Sequence, residues 1–192
     1  MAKVGVLALQ GDFVEHEHML RRLGHEAVEV RLPQHLDDLD ALIMPGGEST
    51  TFGKLAVRWG LIDPIRRFAA SGKPIWGTCA GLIFLAKDVG HDQPTLGLMD
   101  VRVVRNAFGR QIDSFITPIK VKGLDAPFRA VFIRAPIIAE VSPNVEVLAQ
   151  LEDGTIVAAR QGNLLGTSFH PELTNDTRMH ELFLSMLAQP AR

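Results

Sequence analysis

The sequence predicts an α/β protein: a mostly parallel central sheet flanked by helices, with antiparallel strands added in its second half. Three observations carry this. Up to Gly90, short apolar runs alternate with helical patterns, the β-α-β order that puts helices on both faces of a parallel sheet. The early runs stop at glycine or proline, as strands do when they turn into helices. After Gly90, strand-like runs follow one another with few helical patterns between them, which suggests hairpins added to the sheet or folded over its edge.

The elements follow in order. Val4 to Leu9 is an apolar run ending at Gly11, the mark of a buried parallel strand. Asp12 is placed to cap a helix running to Leu23, with Val14, Met19, Leu20 and Leu23 as its apolar stripe and Gly24 as its stop. Ala27 to Leu32 is a second strand and Leu42 to Met44 a third, cut off by Pro45-Gly46-Gly47. Helical patterns follow over Thr51–Trp59 and Leu61–Ala70, then a strand over Ile75–Thr78 and a helix over Ala80–Lys87. Beyond them, Val101–Val104, Phe115–Val121, Ala130–Ile133, Val145–Leu151, Thr155–Arg160 and Leu164–Phe169 read as strands. Asp153-Gly154 is a hairpin turn signal between two of these. Met179–Leu187 is a closing helix.

The chain has 192 residues with no repeat, low-complexity tract or linker, so one domain over residues 1–192 is expected. Lys plus Arg is 20 and Asp plus Glu is 22; this balance provides no global basic field for nucleic acid or an anionic membrane. No apolar stretch approaches the roughly 20 residues that span a bilayer, and the N-terminal run has the look of a strand rather than a signal peptide. The single cysteine forms no intramolecular disulfide and fits a reducing cytoplasm.

That cysteine sits in the most informative stretch. Gly77-Thr78-Cys79-Ala80-Gly81 lies between a strand and a helix, the thiol form of a nucleophile elbow. The turn is tight, and glycines two residues either side remove side chains that would clash. A thiol at a helix start meets the positive end of the helix dipole, which favours the thiolate. A lone cysteine is ordinarily a buried small residue; the paired glycines and flanking elements favour a nucleophile. A nucleophile needs a base and an orienting group. His170 ends a strand-like run, Pro171 turns the chain away, and Glu172 is free to accept from the imidazole and fix its tautomer. Singly, His170 reads as a core histidine and Glu172 as a helix-entry carboxylate; with the elbow they complete a triad.

Acyl transfer also needs donors aimed at the developing oxyanion. The Ala80 N–H, next after the nucleophile, is one, and the Gly47 N–H after the third strand is the obvious candidate for the other, although on its own the stretch reads equally as a plain glycine-rich strand–helix turn. The stretch is not a phosphate loop: Gly53-Lys54 is followed by Leu55, and Glu48 stands where the first glycine would fall. His16 and His18 lie two apart on a predicted helix, so they do not share a face, and nothing in the spacing supports a metal site. Arg66-Arg67 reads as a solvated face. Arg105 and Arg134 are able to pair a substrate carboxylate, although taken alone each reads as a solvated arginine.

Cys79 in GTCAG with a distant His-Pro-Glu resembles the class I, triad-type glutamine amidotransferase family. The blocks GVLALQG (5–11), PGGESTT (45–51), RNAFGRQ (105–111), FIRAP (132–136) and HPELTND (170–176) are similar to the glutaminase subunits of pyridoxal 5'-phosphate synthases, and they span nearly the whole chain. The resemblance implies hydrolysis of L-glutamine to L-glutamate and ammonia by Cys79, His170 and Glu172, with no metal or organic cofactor. It implies Gly46, Gly47, Glu48, Ser49, Arg105, Ile133 and Arg134 as glutamine-binding positions. It also implies a hetero-oligomeric complex with a synthase (lyase) subunit, which condenses the ammonia with a pentose phosphate and a triose phosphate in vitamin B6 biosynthesis.

Overall fold

A computed structural model describes residues 1–105 and 114–188; the part of the RNAFGRQ block beyond Arg105 lies outside the described residues. The first half alternates as expected: β1 (Lys3–Leu7), α1 (Phe13–Arg22), β2 (Glu26–Val30), β3 (Ala41–Met44), α2 (Ser49–Arg58), α3 (Ile62–Ala70), β4 (Ile75–Thr78) and α4 (Ala80–Leu85). The second half is β5 (Ala86–Asp88), β6 (Met99–Val104), β7 (Ser114–Ile119), β8 (Phe128–Ile133), β9 (Ile137–Val141), β10 (Glu146–Gln150), β11 (Ile156–Gln161), β12 (Leu164–Thr167) and α5 (Arg178–Ser185).

The main sheet runs β2-β1-β3-β4-β12-β11-β9-β6-β5, with β10 also paired to β11. β2, β1, β3, β4 and β12 are mutually parallel, whereas β11 meets β12, β9 and β10 antiparallel. β7 and β8 form a separate antiparallel pair. The central strands are buried on both faces, so their residues alternate between two cores. Leu42, Met44 and Ile75 face Phe52, Ile65 and Phe84 of the helices on one side. Ile43, Trp76 and Leu165 face Leu20 of α1, Met179 and Phe183 of α5, and the β7–β8 hairpin on the other.

Four expectations are corrected. The helix after Cys79 stops at Leu85 instead of reaching Lys87, because the Leu96 and Leu98 N–H groups bond the Phe84 and Leu85 carbonyls and draw the chain into β5 beside β6. β9 is an additional strand, whose sequence follows directly on Pro136. Val14 is exposed, and the inward face of α1 holds His16, Met19 and Leu20. Asp12 stands at the start of α1 without capping it. The Asp153-Gly154 turn does join β10 to β11, with Gly154 left-handed (φ 88°) and the Asp153 carboxylate accepting from the Thr155 N–H.

Candidate active site

The carboxyl ends of neighbouring parallel strands deliver the site to one edge of the sheet, the place where open α/β sheets hold ligands. β4 ends at Thr78 and the chain turns sharply at Cys79, which has φ 52° and ψ −107°. A positive φ on a non-glycine residue costs about 1–3 kcal/mol and persists only when its surroundings enforce it. Here the Cys79 N–H is tied to the Thr167 carbonyl of β12 at 2.8 Å, and its carbonyl accepts from Ile83 in α4. The flanking glycines are required sterically: a Cβ on Gly77 would lie 2.4 Å from the Gly81 carbonyl oxygen, and one on Gly81 2.0 Å from that of Met44. The elbow therefore holds the thiol, 7% exposed, at the head of α4.

β12 runs beside β4, and its continuation brings His170 to the same edge. The His170 N–H bonds the Val131 carbonyl of β8 at 2.8 Å, which anchors the segment before Pro171 turns away. The imidazole Nδ1 lies 2.6 Å from Glu172 Oε1, and the Glu172 side chain is fully buried. Burial alone would pull the ring's proton affinity down. Hydrogen bonds to Cys79 and Glu172, and their charges, outweigh it and lift His170 to about 10. Glu172 is pushed up by burial, against the pull of His170. With Nδ1 engaged by Glu172, Nε2 is the nitrogen left to the thiol.

Gly46 closes the other side of the ring. A Cβ there would come within 2.6 Å of His170 Cε1, so the bare backbone permits the imidazole to stand where it does. Gly47 is packed against the Gln10 side chain, whose Oε1 accepts from the Glu48 N–H at 2.8 Å. Glu48 caps α2, its carboxylate accepting from the Thr50 and Thr51 N–H groups and the Thr51 hydroxyl. These bonds, led by that from Thr51, depress its pKa to about 2. Ser49 is buried at the first position of α2, and its hydroxyl has no partner among the described residues.

Arg105 follows β6 and reaches back to this turn. Its guanidinium lies 3.5 Å from Glu48 Oε1 and donates to Thr50 Oγ1 at 3.3 Å and Gln93 Oε1 at 3.1 Å, with His91 Nε2 at 3.3 Å. Cys79, Ala80, His170, Glu172, Gly46, Gly47, Glu48, Ser49 and Arg105 are thus gathered around the carboxyl edge. Ile133 and Arg134 stand at the end of β8, two and three residues beyond the carbonyl that anchors His170, and Arg134 too is left-handed at φ 44°.

Sequence reasoning missed three groups. Asp12 Oδ2 lies 3.6 Å from His170 Nδ1, and burial raises its pKa against the pull of that ring. Its position one residue past the β1 turn, on the same edge, was the available signal. Gln93 and His91 hold Arg105 from a loop without pattern. His16 lies behind Glu172, Nε2 to Oε2 at 3.4 Å. Asp12, His170 and Glu172 converge within 4.8 Å in the manner of metal ligands, but the 2.6 Å between His170 Nδ1 and Glu172 Oε1 is a direct hydrogen-bond distance, shorter than the roughly 3 Å between ligand atoms around one metal ion.

A cysteine elbow beside a histidine–glutamate pair, on the carboxyl edge of a parallel sheet, is the arrangement of a triad-type amide hydrolase. The family model for the SNO glutamine amidotransferase family matches residues 6–189. A protein of Herpetosiphon aurantiacus named "Pyridoxal 5'-phosphate synthase subunit PdxT" is 61% identical over 188 residues, covering 95% of this chain and 99% of that one. One of the same name from Roseiflexus sp. is 57% identical over 187 residues, covering 95% and 99%. A solved structure titled "Crystal structure of glutamine amidotransferase" superposes with a TM-score of 0.92 at 52% identity, over 97% of this chain and 99% of that one. The chain belongs to the SNO glutamine amidotransferase family.

Proposed function

We propose that this chain is the glutaminase subunit of a pyridoxal 5'-phosphate synthase, hydrolysing L-glutamine to L-glutamate and ammonia for a separate synthase subunit. The observation that carries the reading is the strained, buried Cys79 beside a His170 whose proton affinity the thiol and Glu172 together raise. His170 Nε2 takes the thiol proton, and Glu172 holds the ring by Nδ1–H. The thiolate attacks the side-chain amide carbon, and the oxyanion accepts from the Ala80 and Gly47 N–H groups, each worth about 10²–10³ in rate. His170 returns its proton to the departing nitrogen, which leaves as ammonia. Water, deprotonated by His170, then opens the thioester, and glutamate leaves with the thiol restored.

Arg105 pairs the substrate α-carboxylate. Glu48 keeps that arginine in place, while Ser49, Gly46, Ile133 and Arg134 form the walls around the glutamine. A reduced thiol is essential to this chemistry and fits the cytoplasm. No described helix is long and apolar enough to cross a membrane. Ammonia is mostly protonated in neutral water and then no longer nucleophilic, so the site gains from docking against the subunit that consumes it. The test is ammonia release from L-glutamine and from a panel of other primary amides, with and without the purified synthase subunit. Turnover confined to glutamine and raised severalfold by the partner supports the reading. Preference for another amide, or an unmodified Cys79 after treatment of the complex with a glutamine-mimicking electrophile, rejects it.

A further inference from the structure

Behind Glu172, away from the thiol, two buried histidines continue the polar chain into the core. His16 of α1 and His180 of α5 are both fully buried. His16 Nδ1 lies 2.9 Å from His180 Nε2. His16 Nε2 faces Glu172 Oε2 at 3.4 Å, and neither atom has a hydrogen-bond partner among the described residues. His180 Nδ1 is also without a partner among the described residues. Trp76 of β4 packs edge-on against both rings, at 5.7 Å and 4.8 Å between centroids, and is itself pinned by its Nε1–H on Thr167 Oγ1 at 3.0 Å. The rings therefore have little freedom to turn.

This geometry selects one proton arrangement. A neutral imidazole carries one N–H. If His16 carried it on Nδ1, a bare nitrogen lone pair would face the Glu172 carboxylate, and His180 would accept on Nε2 and bury its Nδ1–H without an acceptor. With the proton on His16 Nε2, that N–H has Glu172 Oε2 opposite it at 3.4 Å, and a shift of about 0.3 Å brings the two to hydrogen-bond distance. His180 then donates Nε2–H to His16 Nδ1, and only a lone pair is left unpartnered. Unpaired buried donors are rarer than unpaired acceptors, so the second arrangement prevails. Burial holds both rings neutral: His16 titrates well below its ordinary value and His180 at about 3.

We propose that His16 is a positioning residue for the catalytic pair, its Nε2–H holding the second carboxylate oxygen of Glu172 while His180 sets the tautomer that makes this possible. Glu172 is then gripped by two imidazoles, His170 on Oε1 and His16 on Oε2, and both bonds favour its ionised form. Among the described residues, the other titratable groups facing this chain are Asp12, which lies against His170, and Cys79. Glu172 and His170 stand between His16 and the thiol. The inference rests on the triad reading above.

The experiment compares His16→Phe, His16→Gln and the unaltered chain in complex with the synthase subunit. A glutamine amide can donate to Glu172 and accept from His180; phenylalanine does neither. His16→Phe is expected to lose on the order of tenfold in kcat, the scale of one hydrogen bond to a buried charge. Its KM should move less than about twofold, since the lost bond does not touch substrate. The acid limb of its kcat/KM profile should move to higher pH, because Glu172 keeps its proton longer. His16→Gln should restore the profile and most of the rate. A folded His16→Phe with the unaltered rate and profile overturns the proposal, as does equal impairment of both variants with a raised KM. Should His16→Phe fail to fold, ¹⁵N NMR of the histidine rings in the unaltered chain decides. Nε2–H tautomers for both His16 and His180, neutral from pH 6 to 8, support the proposal, and a proton on His16 Nδ1 refutes it. The NMR result holds whether or not the chain hydrolyses glutamine, so failure of the glutaminase reading shows separately, as absent turnover in the unaltered complex.

Discussion

Gly46→Ala adds a single methyl group where the imidazole of His170 has no room. The new Cβ would meet His170 Cε1 at 2.6 Å and Nδ1 at 3.2 Å, with Asp12 Oδ2 next at 3.5 Å. Carbon atoms in contact prefer about 3.5–4.0 Å, so one group must move by about 1 Å. The methyl sits on backbone between β3 and α2, and Gly46 is not left-handed, so the substitution carries no conformational penalty of its own. The ring gives way more easily. It is held by the 2.6 Å bond to Glu172, and moving it stretches that bond and takes Nε2 off the thiol. A displacement of about 1 Å in a catalytic group costs on the order of 10²-fold, whereas overpacking of this kind costs about 1–3 kcal/mol of stability. The expected variant is folded, binds glutamine with a KM within a few-fold of the unaltered chain, and has a kcat lowered about a hundredfold. Steady-state ammonia release in the synthase complex reads the rate, and thermal melting reads the fold. A folded Gly46→Ala within threefold of the original kcat would mean that His170 is not held as the structure shows, and the assignment of the base would fall.

Three further outcomes are expected. Cys79→Ala and Cys79→Ser should each lose glutamine hydrolysis while the circular dichroism spectrum is kept, and retention of even a tenth of the turnover by either would exclude Cys79 as nucleophile. Arg105→Ala should raise KM for glutamine more than it lowers kcat, because a grip on the α-carboxylate is made equally in ground and transition states; a large kcat loss at constant KM contradicts that role. Acid should weaken the fold through His16 and His180: both stay neutral when folded, and each takes up a proton near pH 6.5 when unfolded, so stability falls as pH drops below that value, by up to about 1.4 kcal/mol per unit for each ring. His170 does not interfere in this window, since its raised affinity adds stability that is fully present below pH 6.5 and is lost only on the way up to about 10. His180→Phe should flatten the Tm decline between pH 6.5 and 5.0, and an unchanged decline would refute the attribution.

What the sequence made legible was what short-range stereochemistry dictates. The elbow could be read because a strand, two glycines at fixed offsets and a helix leave few conformations for Cys79, and the clashes at Gly77 and Gly81 show why both are needed. The parallel half could be read because its strands are continuous apolar runs. β9 was not, because its pairing with β6 and β11 is a tertiary contact that its own residues do not announce. Val14 was misassigned to the apolar face of α1 for a related reason: the stripe is completed by His16, a polar residue that periodicity counts as outward. His16 is buried because Glu172 and His180 stand opposite it, and they are 156 and 164 residues away in the chain.

The same topology explains why the proposed triad and the proposed substrate grip rest on separate supports. β3, β4 and β12 are consecutive in the sheet, so the ladder brings their carboxyl ends, with Gly46-Gly47, Cys79 and His170, to one edge, and the bond from the His170 N–H to the Val131 carbonyl of β8 adds an anchor. Arg105 comes from β6, which is reached only across the antiparallel strands β11 and β9. Its placement is instead secured sideways, by Glu48 at the head of α2. Glu48 is suited to this because the helix cap that orders it also keeps it ionised: a carboxylate depressed to about 2 stays charged against Arg105 throughout the working range of the enzyme. The glycine pair after β3 thus links the two halves of the site. Its backbone borders the catalytic ring, and the residue that follows it holds the arginine proposed to select the substrate.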